Sequence, residues 1–332
     1  MWKLRAAVRQ GLNNFRHDDI FIGNTPSNMI IRSEKNWLKL LFVWNGSVLR
    51  LIVPQLIFMF AVGIVALMTD GRIFGEKVPL NTIPFTLAGV ALAIFLAFRN
   101  NASYDRYWEG RKLWGHILVS TRNLASLRLS CSDVGEDEKD LFLNRIIAFP
   151  YALKHMLRNT DASNDLVMLL GEEEEKGLHA INNKPMAILD RLRKSLFSLH
   201  NQGGASDTQV WLIDNQLSQL SEMSGGCERI FSTPIPFAYS VLLHRTVYGY
   251  CLLLPFGLVD SIGAATPIIS VFISYTLLAL EAIASDIADP FSRNQNGLPL
   301  SSISRTIERN VRELNGQAIP DPIRPNKKFE LV

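Results

Sequence analysis

Residues 83–98 read IPFTLAGVALAIFLAF, sixteen positions with no charge and a single hydroxyl, Thr86. At Arg99 the sequence turns into RNNASYDRYWEGRKLWG, polar, aromatic and basic, with neither Gly nor Pro at the junction to break a helix. A run that is apolar all round belongs in lipid or in a protein core, and its polar continuation belongs in water. The stretch 83–115 therefore reads as one long helix that leaves a membrane and continues into the cytoplasm. Sixteen residues rise only about 24 Å, short of the ~30 Å hydrocarbon core, so the neighbouring segments have to decide.

Three further apolar runs do so. Residues 48–69 (VLRLIVPQLIFMFAVGIVALMT) are long enough to span, with Arg50 as an early charge. Pro54 is tolerable there, because membrane helices accept proline where neighbours satisfy the freed carbonyl. Trp37 and Trp44 suit the interfacial belt. Residues 237–259 (FAYSVLLHRTVYGYCLLLPFGLV) are interrupted by His244 and Arg245, and a short loop with Gly263 leads into residues 266–284 (TPIISVFISYTLLALEAIA), which predicts a hairpin. Basic residues orient the four runs. Arg32, Lys35, Lys39 and Arg50 flank the start of the first; Arg99, Arg106, Arg111 and Lys112 follow the second; Arg293, Arg305 and Arg309 follow the fourth. The loops 70–81 and 260–265 carry no such excess, so the positive-inside rule predicts four crossings with both termini cytoplasmic.

Composition agrees with a few spanning helices joined to a large aqueous part. Hydrophobic residues make up 48% of the 332, too many for a typical soluble enzyme and too few for an all-membrane transporter. A net charge of +3 without a dominant basic patch argues against nucleic acid. The three cysteines, Cys131, Cys227 and Cys251, are odd in number and scattered, which suits a reducing interior. Between the second and third runs, helical spacing recurs at 141–157 and 187–199, and exposed turns are expected at 135–140, 171–175 and 201–206. No strand alternation or internal repeat is visible, so the whole chain is predicted all-α. Residues 1–28 carry Lys3, Arg5, Arg9 and Arg16 before the first acid, Asp18. A targeting peptide and a translation start at Met29 are alternatives to the preferred basic tail lying on anionic lipid heads. The expected division is a tail at 1–28, a membrane pair with its cytosolic extension at 29–130, a helical cytosolic region at 131–236, a second membrane pair at 237–285, and a C-terminal segment at 286–332 with an amphipathic helix near 303–314.

Two faces can be drawn on residues 83–98. Gly89, Ala93 and Ala97 recur every four residues, a small-residue stripe that lets another helix approach closely. About 100° round the helix lie Val90, Ile94 and Phe98. Pattern alone favours lipid contact or core packing for this bulky stripe; the alternative is a pore wall, in which several copies make stacked apolar rings that gate by dewetting.

The segments FLAFRNNASYDRYWEGRKLWG (95–115), GGCERIFSTPIPFAYSVLLHRTVY (225–248), PIISVFISYTLLALEAIASDIADPF (267–291) and LPL followed by TIERN (298–310) resemble a bacterial bestrophin homologue, over roughly residues 29–317. The resemblance implies a homopentameric ion channel of the inner membrane, with four membrane helices per protomer around one central pore. Its second helix would line that pore, and the neck positions fall by motif match on Val90, Ile94 and Phe98. A second constriction near the cytosolic exit is placed at Thr208, between Asp207 and Gln209. Partners implied are further copies of the chain, membrane lipids and monovalent ions; no cofactor is called for. In two respects the sequence departs from or leaves open the family pattern. Eukaryotic bestrophins are calcium-activated chloride channels with an acidic cluster past the Pro-Phe pair. Here Asp286 and Asp289 precede Pro290 and Phe291, but Ser292-Arg293-Asn294-Gln295-Asn296 follows, too poor in acids for a calcium site that takes six to eight oxygens. Ion sign stays open: the family at large implies chloride or other anions, and the bacterial members sodium and other monovalent cations.

Other residues have rival readings. His244 and Arg245, ionisable inside an apolar run, are functional candidates by default; the preferred reading places them near the inner headgroups with Arg245 snorkelling, and Glu281 is expected to pair with a basic residue there. Residues 172–175 read as a solvated acidic loop rather than a metal site. Asp105, Arg106, Glu109 and Arg111 pair within the helix or between protomers, or line a vestibule. An enzyme is disfavoured, since HExxH, GxSxG and Walker loops are absent and the six histidines are dispersed. A non-conducting membrane scaffold is the remaining alternative.

Overall fold

The computed structural model describes residues 38, 43–44, 46–73, 76–77, 82–132, 135–326 and 331. The basic tail at 1–28 and the flanking residues Arg32, Lys35, Trp37 and Lys39 lie outside them. The described chain is helical apart from one two-residue ladder. Helix α1 (Leu49–Met68) opens with the Ser47 hydroxyl accepting from the Leu49 N–H, and keeps Pro54 near its start. Left-handed backbone at Asp70 and Gly71 then turns the chain into β1 (Arg72–Ile73) and β2 (Glu76–Lys77), antiparallel, with Arg72 opposite Lys77. This ladder, inside the loop at 70–81, is the one strand pairing among the described residues.

Helix α2 (Thr82–Leu129) runs 48 residues without a break, about 72 Å at helical rise. The apolar run and its polar continuation are therefore one rod. Helices α3 (Glu136–Leu157), α4 (Ser163–Leu170), α5 (Glu172–His179), α6 (Lys184–Asn201) and α7 (Asp207–Ser232) follow. Then come α8 (Phe237–Ile262), a 3-10 turn at Gly263–Ala265, α9 (Thr266–Ile287) and α10 (Leu300–Leu314). Among the described residues three helical stretches are long and apolar enough to cross a membrane, Leu49–Met68, Phe85–Leu129 and Phe237–Ile287. The third is broken at Gly263, whose φ of +51° with ψ of −123° suits only glycine, and α8 and α9 fold back against each other.

In the apolar half, α1, α8, α9 and the first part of α2 pack around Met59, Leu92, Leu96, Val247 and Leu278. The closest approach is between α1 and α9: a Cβ on Gly63 would come within 2.8 Å of the Pro267 backbone. In the polar half α3 is central. Residues 146–154 are buried on all sides, ringed by α4, α6, α7, α10 and the far part of α2. Helix α10 contributes Leu300, Ile307 and Val311 to that core, so it is built into the polar half rather than trailing from it.

Charges inside this core are matched. Glu308, 2% exposed, accepts from the Tyr151 hydroxyl at 2.8 Å and from Arg305 and Arg312 at 3.0 Å each. Asp165 accepts from Lys154 Nζ at 2.8 Å and from His155 Nε2 at 2.9 Å, while the Thr160 hydroxyl sits 2.7 Å from His155 Nδ1. The hydrogen bond from His155, aided by Lys154 against the effect of burial, holds the Asp165 carboxyl down at about 2. Cys131, Cys227 and Cys251 are all buried free thiols, and burial pushes the Cys227 thiol up to about 12.

Two expected turns are helix starts instead. Gly135 is the N-cap of α3, and Gly171 that of α5, with Glu172–Glu175 forming the first turn of α5. Four carboxylates at a helix N-terminus are favoured by the exposed N–H groups and the dipole. Two of them also turn inward: Glu174 accepts from Arg145 Nε at 2.7 Å and pairs with Arg191 at 3.2 Å, and Glu175 is 7% exposed.

Candidate functional site

The candidate site lies on the long helix α2. Leu92, Leu96, Arg99 and Ser103 are buried on the side of α2 that packs against α8 and α9. Val90, Ile94 and Phe98 are 52, 51 and 63% exposed. Ile94 points about 160° away from both Leu92 and Leu96, while Val90 and Phe98 border open grooves that α2 shares with α8 and the residues just before it. The small-residue stripe divides. Gly89 meets α8, where a Cβ would fall 2.5 Å from the Tyr250 hydroxyl and the Phe85 ring stacks on Tyr250 at 4.7 Å. Ala93 lines the open groove beside that contact, and Ala97 is exposed.

Past Phe98 the polar residues of α2 sort by direction. Arg99 Nη1 donates to Glu281 Oε1 on α9 at 3.2 Å, the two side chains 5 and 14% exposed. This is the basic partner of Glu281. His244, half-exposed on α8, approaches the same oxygen at 3.6 Å and packs on the Tyr248 ring, while Arg245 is exposed. Arg106 reaches across the junction of halves and donates to three backbone oxygens, of Ala288 at 3.0 Å and of Thr233 and Ile230 at 2.7 Å. Glu109 accepts from Arg229 of α7 at 2.5 Å. On the other flank Tyr104 stacks on Trp108, and the Arg111 guanidinium lies 5.2 Å over the Trp108 ring. The helix thus holds three of the four ambiguous charges against its own subunit's groups; Asp105 stays exposed on the stripe that continues Ile94 and Phe98, followed by Lys112 and His116.

Thr208 is exposed in the first turn of α7, which a capping box secures: Ser206 Oγ accepts from the Gln209 N–H, and Gln209 Oε1 accepts from the Ser206 N–H at 2.9 Å. Asp207 lies 3.4 Å from the His200 ring. The same turn is tied to the end of α2, with Gln209 Nε2 donating to Ser130 O at 3.1 Å and the Ser132 N–H donating to Gly204 O at 3.0 Å.

Beyond α9, both oxygens of Asp286 are occupied by amides, Asn294 Nδ2 at 2.8 Å and Asn296 Nδ2 at 2.5 Å. Gly297 is required by this loop, since a Cβ would meet Ser292 O at 2.4 Å. Amide side chains, not further carboxylates, close the segment, and among the described residues no three His, Cys, Asp or Glu side chains converge. The Arg106 clamp was not anticipated: its acceptors are backbone carbonyls, which leave no side-chain signal in a sequence.

Residues 29–313 match the family described as Bacterial/Fungal Bestrophin protein. A voltage-dependent anion channel-forming protein of Ralstonia nicotianae is 43% identical over 291 residues, 87% of this chain and 95% of that protein. A voltage-dependent anion channel-forming protein of Escherichia coli is 38% identical over 92% of this chain and all of its own length. The crystal structure of a bacterial bestrophin homologue from Klebsiella pneumoniae superposes with a TM-score of 0.77 at 39% identity, covering 80% of this chain and 99% of that one.

Proposed function

The chain belongs to the bestrophin family, and from that premise we propose that it assembles as a homopentameric channel for small monovalent ions, with a neck of Val90, Ile94 and Phe98. One observation carries the proposal: a bulky apolar stripe left half-exposed on a helix whose opposite face is buried. Five copies around an axis would stack these side chains into rings whose width and dewetting set conduction. Thr208 would form a second, wetter aperture at the far end of the same rod. In this reading α1, the first part of α2, α8 and α9 are four crossings of the inner membrane. The helical region at 131–236 and the segment at 286–332 then lie in the cytoplasm with both termini, which the positive-inside pattern supports. The names of the relatives, voltage-dependent anion channel-forming proteins, favour an anion as the permeant species. An uncharged neck does not itself set that sign, and reversal potentials in asymmetric NaCl read it directly.

Purified protein in liposomes tests the proposal. Wild-type vesicles should pass ions, and Ile94→Ala or Phe98→Ala should raise conductance or open probability several-fold. Silent vesicles across voltage and pH would favour a scaffold, and unchanged currents in both variants would remove the neck assignment.

A further inference from the structure

The segment just past the neck carries six charged side chains before His116: Arg99, Asp105, Arg106, Glu109, Arg111 and Lys112. Three of them, Arg99, Arg106 and Arg111, point away from the exposed stripe, and Glu109, eleven residues beyond Phe98 and so about 20° round from it, is neutralised by its ion pair. Arg99 is buried against Glu281, Arg106 donates to three carbonyls, Glu109 is held by Arg229, and Arg111 lies over Trp108 on the flank. Asp105 and Lys112 are exposed on the stripe, and among the described residues neither enters an ion pair. Asp105 lies seven residues beyond Phe98, hence two turns on, about 20° round and about 10 Å deeper. Lys112 lies a further two turns away, about 20 Å from Phe98.

Distance decides which of the two charges matters at the neck. The Debye length is about 8–10 Å at ordinary salt, so a charge at one such length still acts on an ion leaving the neck, whereas one at twice that length is largely screened. We propose that Asp105 is a specificity-determining residue, each copy adding a carboxylate to an acidic ring that raises cation over anion permeability relative to the neck alone. The inference rests on the channel reading above and adds to it the residue that biases ion sign. It holds whichever ion the whole pore prefers, because it concerns the direction of the bias. Several like charges around one narrow axis act together, drawing cations in and repelling anions, so the permeability ratio responds to both effects.

The test is the reversal potential in asymmetric NaCl for wild type, Asp105→Asn, Asp105→Cys and Lys112→Gln in planar bilayers. Asp105→Asn should lower the Na⁺/Cl⁻ permeability ratio on the order of tenfold. Attaching a sulfonate to the thiol of Asp105→Cys should restore the ratio toward wild type, and attaching a trimethylammonium should drive it further toward anions. The native thiols are buried, and reagent-treated wild type controls for them. Lys112→Gln should move the ratio the other way by less than about threefold. Conducting Asp105 variants whose reversal potential does not move, or a larger shift from Lys112→Gln, would overturn the assignment while leaving the channel standing. Wild-type bilayers without current would instead overturn the channel reading, and this inference with it.

Discussion

In the polar half, residues 146–154 of α3 are buried on every side, with Ile146, Phe149 and Leu153 at 0% exposure. In the apolar half, Ile57, Phe58, Phe95 and Phe272 stand 65, 56, 51 and 68% exposed. The more hydrophobic region is thus the one with more uncovered apolar surface. A single chain completes the first core, and the hydrophobic effect stabilises it in water. The second leaves its outer surface to lipid or to other copies, where burial between helices gains little and close backbone approach matters more. Substitutions should therefore act by different rules in the two halves.

The largest effect is expected at the centre of α3. Phe149→Ala should cost about 3–5 kcal/mol through lost transfer energy and a cavity, read as a depressed thermal midpoint in detergent. Ile94→Ala removes a similar kind of side chain from the exposed stripe and should shift that midpoint very little, even as it alters flux. Equal destabilisation by both would erase the contrast between the halves. Next comes Gly63→Ala, which pushes a methyl against the Pro267 backbone and should cost about 1–3 kcal/mol by forcing α1 from α9. A midpoint indistinguishable from wild type would mean that this approach is not what holds the helices together.

The smallest effect sharpens the polar side. A carboxyl whose folded pKa lies below its unfolded value stabilises above the unfolded value and loses that contribution as pH falls through the folded one. Asp165, at about 2 against an ordinary 3.8, should contribute about 1–2 kcal/mol at neutral pH. Asp165→Asn should lower the midpoint accordingly, and its gap from wild type should close as pH falls from about 4 to about 2. A gap constant across that window would put the effect on packing rather than on the carboxylate.

Much of this contrast was written locally. The apolar run of residues 83–98 and its unbroken polar continuation announce α2, the other apolar runs announce α1, α8 and α9, and helical spacing announces α3, α6 and α10, whereas α4, α5 and α7 carry no such signal. The outward stripe was readable as a stripe; its direction was not, because burial depends on residues far along the chain, such as Leu278 of α9. The small-residue stripe is used within the subunit at Gly89, which meets Tyr250 of α8, while the close approach to the backbone of another helix uses Gly63, an isolated glycine with no motif around it. The acidic run at 172–175 looked solvated because its arginine partners, Arg145 and Arg191, come from α3 and α6.

Helix α2 has its proposed constriction near one end and, at the other, the latch that joins Ser130 and Ser132 to the first turn of α7 and its preceding loop. Nothing along its length is jointed. A lever without a hinge transmits a push rather than absorbing it, so a displacement at the latch has no slack to disappear into before it reaches Phe98.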